Sequence, residues 1–240
     1  MKSFIRRCFR QIGLDVRRYH ATSSQAAQYM QILAANNINL VFDVGANTGD
    51  FGQLLRESGY RGRIVSFEPL SSVRNQLLKA SNRDLLWEIA PPVALGNENG
   101  EIDIHVAGNS VSSSILNMLD AHAIGAPASR YIRNERVSLR RLDSLAPDYI
   151  GSDSITLLKI DTQGYEDRVL QGAAGIMDRI IGLQIELTLV PLYEGGKLFE
   201  EMLEKIKAMR FELWSMWPAF TDQTSGRLLQ VDATFFRNKP

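Results

Sequence analysis

Along the chain, short apolar runs alternate with stretches in which apolar positions recur every three or four residues. The runs at 40–44 (LVFDV), 63–67 (RIVSF), 155–160 (ITLLKI) and 183–187 (LQIEL) have strand length and end in polar or Gly-containing turns. Helical spacing follows most of them, at 51–57, 72–81, 166–177 and 197–209. It also precedes the first, at 23–36, where Asn36-Asn37 ends it. Strand, helix and strand in this rhythm predict a doubly wound α/β sheet of parallel strands, because a parallel neighbour is reached through a crossover helix that then covers a sheet face.

The rhythm breaks in the middle. Residues 101–106 alternate apolar and polar, 97–100 reads as a turn, and 135–141 alternates again, which predicts an antiparallel insertion carrying a polar loop, GNSVSSS, at 108–114. Residues 211–216 and 233–237 read as two closing strands joined by a long loop rich in Thr, Asp, Gln, Ser and Gly. A long loop beside the carboxyl ends of strands is a common place for substrate contacts. No repeat or linker divides the 240 residues, so the expectation is one domain over 39–240 preceded by a basic helical extension over 1–38.

Composition narrows the partners. Lys+Arg and Asp+Glu both number 27, so no global field draws in nucleic acid. Cys8 has no partner for a disulfide or a metal site, which fits a reducing, cytoplasmic compartment. No apolar run is long enough for a signal peptide or a transmembrane helix. Lys2, Arg6, Arg7, Arg10, Arg17 and Arg18, with Phe4, Ile5, Phe9 and Ile12 at helical spacing, make an arm suited to weak contact with an anionic membrane surface; packing on the domain is the plainer expectation.

The chemistry gathers after the first strand. There Asp43 is followed by Gly45, Ala46, Asn47, Thr48, Gly49 and Asp50, and then an apolar helix. Glycines let backbone approach a ligand, and the helix N-terminus offers unpaired N–H groups to a carboxylate. The spacing is Gly-x-x-x-Gly, neither the Gly-x-Gly-x-x-Gly of a nicotinamide dinucleotide site nor a triphosphate loop ending in Gly-Lys-Ser/Thr. Asp43 and Asp50 would repel a pyrophosphate but suit an ammonium group, which S-adenosylmethionine carries together with a sulfonium. The second strand ends in Ser66-Phe67-Glu68-Pro69, an acid about 20 residues beyond the turn, where nucleotide-binding folds place a partner for ribose hydroxyls.

These residues resemble the FkbM-type methyltransferases of the class I S-adenosylmethionine-dependent enzymes. The matching stretches are VFDVGANTGDFG at 41–52, SFEPL at 66–70, VALG at 93–96, LLKIDTQGYE at 157–166 and QIELTLVPLYEG at 184–195, within a likeness running from about 39 to Lys239. The resemblance implies a mostly parallel seven-stranded Rossmann-like sheet with S-adenosylmethionine as cofactor. It implies that Asp43, Gly45, Asn47 and Gly49 hold the methionine end, Glu68 the ribose, and a turn at 93–95 the adenine. Ala46, Pro69, Ala94, Leu95 and Asp161 complete the expected cofactor contacts. Many members carry Glu where Gln163 stands here, so a charge is missing at that point.

Read from its residues, LLKIDTQGYE puts Asp161 at the carboxyl end of a strand, with Lys159 on the same face as an ion-pair partner. Asp161 and Glu186 are the candidate catalytic acids, either of which could orient an acceptor hydroxyl or take its proton; a buried acid satisfied by Lys159 or a helix N-terminus is the structural alternative. His20, His105 and His122 lack metal-ligand spacing, so no metal is expected; His122, near the polar loop, could serve as a base but reads first as a surface histidine. Ser112, Ser113 and Ser114 could hydrogen-bond a hydroxyl-rich acceptor or form an ordinary exposed loop; the pair Trp214 and Trp217 could form a platform for a sugar or belong to the core, and Tyr193 could gate the site or pack. The expectation is O-methylation of a sugar, glycan, glycolipid or natural product. N-methylation of a small amine and a non-catalytic cofactor-fold module are the alternatives; a dehydrogenase fails on glycine spacing.

Overall fold

The computed structural model describes residue 7, residues 9–16 and residues 18–237. Lys2, Phe4, Ile5, Arg6, Cys8, Arg17 and Lys239, cited above, lie outside the described residues.

The four apolar runs become the centre of a seven-stranded sheet. In chain order its first strands are β1 (Leu40–Val44), β2 (Arg63–Phe67) and β3 (Trp87–Ile89). After a short β4 (Val93–Leu95) and the insertion strands β5 (Gly100–Ala107) and β6 (Tyr131–Arg140) come β7 (Thr156–Ile160), β8 (Ile180–Thr188), β9 (Phe211–Thr221) and β10 (Leu228–Arg237). The order across the sheet is β3-β2-β1-β7-β8-β10-β9. Five neighbouring strands are parallel, and β10 runs antiparallel to both β8 and β9. Strand order reverses between β1 and β7, and in such sheets a ligand crevice opens there at the carboxyl ends.

The unbroken apolar runs of β1 and β7 reflect burial on both faces: all ten of their residues are buried. Val41 faces helices α1 (Gln25–Ala35), α2 (Asp50–Glu57) and α3 (Ser71–Ser81), packing with Leu33, Leu55 and Leu77. Phe42, one residue on, faces the opposite layer, α5 (Leu142–Leu145), α6 (Glu166–Gly172) and α7 (Phe199–Ala208), packing with Leu142, Leu170 and Ile206. The short α4 (Asp120–Gly125) belongs to the insertion, and its His122 packs on Tyr193 and Phe220. Helix α1 starts on Ser24, whose side chain accepts from Ala27 N, and turns Tyr29, Ile32 and Leu33 onto the sheet. No described helix is long and apolar enough to cross a membrane.

The antiparallel insertion is present as a second sheet, ordered β4-β6-β5, in which β5 and β6 pair antiparallel. Three sequence expectations are corrected. Residues 93–95 are a strand, not a turn, because β4 gains a parallel partner in β6. The helix expected over 166–177 is α-helical only to Gly172 and continues as a 3-10 turn over Ala174–Arg179; Gly172 packs so closely on β4 that a Cβ there would lie 1.9 Å from the Gly96 carbonyl oxygen. The long loop expected between the closing strands is a tight turn, because both strands run further than their apolar pattern. Pro218 sits within β9, an edge strand that tolerates its missing N–H, and Asp222 Oδ1 accepts from Thr224 N and Ser225 N to close the hairpin.

Candidate active site

Two sharp bends end the neighbouring strands β1 and β7, and the candidate site lies across them. In the first bend Gly45 has φ +76, Asn47 +46 and Gly49 +95. A Cβ on Gly45 would fall 1.9 Å from the carbonyl oxygen of Asp161, so glycine is required here by the second bend crossing over the first. Gly49 is the N-cap of α2 and packs beneath Leu77, Ala80 and Trp87; no side chain caps the helix, which leaves first-turn N–H groups to other partners. Ala46 is buried in the core below the bend.

Asp43, fully buried, faces Lys159 Nζ at 3.2 Å and accepts from Ser66 Oγ at 3.1 Å. Lys159 also lies 3.6 Å from Asp161 Oδ2 and donates to the Gly45 carbonyl at 3.3 Å. Burial opposes its charge, but the Asp43 and Asp161 carboxylates outweigh burial and raise its pKa above the ordinary lysine value. The expected Lys159–Asp161 ion pair is therefore shared with Asp43, the closer partner.

Glu68, at the end of β2, accepts from Asn47 N through one oxygen and from Leu70 N through the other, both at 2.8 Å. Burial pushes its pKa up to about 7 against the pull of those two N–H groups. A cavity of about 110 Å³ opens beside it. Gly45, Asn47, Glu68, Pro69, Ala94, Leu95 and Asp161 line it, so seven of the ten positions expected to hold a cofactor meet in one space. Asp43, Ala46 and Gly49 shape that space from behind and do not line it. The serine loop forms the opposite wall through Ser110, Ser113 and Ser114, and Ser112 and Ser114 are buried, not part of an exposed loop.

The second bend is held by side chains. Gln163 has φ +54 and Gly164 φ +97. Glu166 Oε1 accepts from Thr162 N at 2.9 Å and Gly164 N at 3.1 Å, and burial lifts its pKa to about 7. Ser114 Oγ donates to the Gln163 carbonyl at 2.6 Å, and Tyr193 packs on Gly164. The Gln163 amide donates to Asp161 Oδ1 at 2.9 Å and to Glu186 Oε2 at 2.8 Å, while its oxygen accepts from Tyr193 OH at 2.5 Å. Glu186 Oε2 accepts again from Gln230 Nε2 at 2.7 Å. Burial, followed by the charges of Asp161 and Glu166, raises the Glu186 pKa well above the carboxylate range.

Asp161 thus stands at the cavity rim with its side chain 36% exposed, while Glu186 does not line the cavity and connects to it through Gln163. Sequence reasoning missed Glu166 and the bridging role of Gln163. It also placed His122 at the surface. That ring is buried between Tyr193 and Phe220, and burial lowers its pKa to about 4, so it is neutral at physiological pH. Trp214 packs on Phe236 at the sheet edge and remains 46% exposed; Trp217 donates to Gln28 Oε1 of α1. Among the described residues, no group of three or more His, Cys, Asp or Glu side chains is arranged to hold a metal ion.

The chain is similar to the 2-O-methyltransferase NoeI of Sinorhizobium fredii (strain NBRC 101917 / NGR234), with 24% identity over 190 residues, 75% of this chain and 74% of that protein. It is 31% identical over 165 residues to the AMB antimetabolite synthetase AmbE of Pseudomonas aeruginosa (strain PAO1), a match that takes in 55% of this chain but only 8% of that much longer protein. Among solved structures, the methyltransferase domain of bacterial CtHen1-C superposes with a TM-score of 0.49 at 8% identity, covering 92% of this chain and 100% of that one. Residues 43–213, well over half the chain and including Asp43, Glu68, Asp161 and Glu186, match the model of the methyltransferase FkbM domain, and the chain is therefore a member of the FkbM methyltransferase family.

Proposed function

We propose that the chain uses S-adenosylmethionine to methylate a hydroxyl oxygen on a sugar-containing acceptor. The observation that carries this reading is the cavity at the point where strand order reverses, with Glu68 on its β2 side and Asp161 on its β7 side. The residues fit the cofactor. Gly45, Asn47 and the uncapped start of α2 suit its amino-acid end, Glu68 the ribose hydroxyls, and the apolar slot of Pro69, Ala94 and Leu95 the adenine. Bound there, S-adenosylmethionine supplies an electrophilic methyl group on a sulfonium.

The acceptor hydroxyl then needs alignment and a modest base. Asp161 is the carboxylate placed for that proton: it lines the cavity, and its two oxygens are steered by Lys159 and by the Gln163 amide. Glu186 serves as a positioning residue, holding Gln163 from the far side. The relative named as a 2-O-methyltransferase favours oxygen over nitrogen as the acceptor atom.

Two measurements test the reading. Calorimetry with S-adenosylhomocysteine is expected to show binding, and its absence overturns the cofactor assignment. Asp161→Asn is expected to keep that binding and to lower methyl transfer about 100-fold or more, the usual worth of a general base; unchanged turnover removes Asp161 from the chemistry.

A further inference from the structure

A second cavity, of about 90 Å³, lies one step along the sheet from the first, over β8, β10 and β9 and beneath α1 and α2. Its walls are the rings of Tyr29, Phe51 and Trp217, and its floor is a row of polar side chains, Gln184, Asp232 and Thr234. Tyr29 OH and Gln184 Oε1 are buried there with no hydrogen-bond partner among the described residues. Such orphaned groups each carry a desolvation cost that a ligand would relieve.

Lys159 connects the linings of the two cavities. Lys159 sits 5.3 Å from the Phe51 ring, which lines the second cavity, and it contacts Gly45 and Asp161, which line the first. Asp232 is the direct cross-strand partner of Glu186, and burial together with the Asp161 charge lifts its pKa to about 6. Gln25 of α1 reaches Asp232 at 3.3 Å, so the helix closes one side of the space.

We propose that this second cavity binds one sugar ring of the methyl acceptor. Aromatic walls suit the apolar faces of a pyranose, and an amide oxygen, a carboxyl group and a free phenol along one edge suit its hydroxyls. The proposal rests on the methyltransfer reading above, because it takes its ligand from that reaction, and it adds where the acceptor is recognised.

The test uses the full chain and a panel of methyl glycosides of glucose, galactose, mannose, fucose, rhamnose and N-acetylglucosamine as probes. Saturation-transfer NMR is recorded with and without saturating S-adenosylhomocysteine, whose own binding is measured separately by calorimetry. At least one glycoside is expected to bind and to stay bound when S-adenosylhomocysteine is added. Tyr29→Phe, which removes one hydroxyl and little volume, and Gln184→Leu are each expected to weaken it about 10-fold, in line with leaving a ligand hydroxyl unpaired, without changing S-adenosylhomocysteine affinity. The site is overturned if no glycoside binds a protein that binds S-adenosylhomocysteine, if that compound displaces the glycoside, or if Tyr29→Phe binds it as the parent does. Failure to bind S-adenosylhomocysteine would instead strike the cofactor reading.

Discussion

The bends after β1 and β7 do the same geometric job by different means. Each forces backbone into the left-handed region and crosses the other at the Gly45–Asp161 contact. The first rests mainly on missing side chains, with Gly45 and Gly49 where any Cβ would collide or strain and Asn47 between them held by Glu68. The second leaves a glutamine in the strained position and holds it with Glu166, Ser114, Tyr193 and Glu186. A bend fixed by backbone packing makes a rigid seat. A bend fixed by side-chain hydrogen bonds can be retuned by changing one partner.

The sharpest way to break this comparison is Gly45→Ala. With φ at +76 and a Cβ 1.9 Å from the Asp161 carbonyl, it is expected to cost about 3 kcal/mol or more of stability in a denaturant titration. A loss below about 1 kcal/mol would show that the first bend is as adjustable as the second. Next in size is Glu166→Ala, which strips the acceptor from two half-buried loop N–H groups and is expected to cost about 2 kcal/mol. Hydrogen exchange at Gly164 should quicken in that variant, and unchanged protection would mean that the loop is held by backbone as well.

The smallest of these effects is a change in affinity, part of a pH trend with opposite signs for folding and binding. Glu68 and Glu166 have folded pKa values near 7 against an ordinary 4.5, so both are protonated more readily folded than unfolded. Their contribution to stability is full below pH 4.5 and is lost as pH rises through 7. In the proposed cofactor site an ionised Glu68 is the better acceptor for ribose hydroxyls, and on that proposal affinity for S-adenosylhomocysteine should rise by up to about 10-fold between pH 6 and 8. Glu68→Gln should flatten that slope, and a slope that survives the substitution would assign it to another group.

The first bend was legible because its determinants are local. Twelve residues, VFDVGANTGDFG, contain the strand, both glycines and the helix start, and Glu68 follows at the end of the next strand. The glycines were right for a reason the sequence could not show, since Gly45 answers to Asp161 across the sheet and not to a ligand alone. The second bend was only half legible. Asp161 and Glu186 stood out as acids on apolar strands, but the partners of Gln163 lie 49, 30 and 23 residues away, beyond any local pattern. His122 was misread for the same reason, its burial being made by Tyr193 and Phe220. The closing hairpin was read short because Pro218 and the irregular register of β9 interrupt the alternation by which strands are recognised.

Trp87, on the short edge strand β3, donates its indole N–H to Ser66 Oγ at 2.9 Å, and that hydroxyl spends its single proton on Asp43. The ring also presses on Gly52, where a Cβ would lie 2.2 Å away. The rim of the sheet is in this way wired to the buried charge at its middle, three strands in. A change in the loop that sets Trp87 would be felt as a turned hydroxyl beside Asp43, and the emission of that shielded indole offers an optical gauge of whether the seat below the first bend is intact.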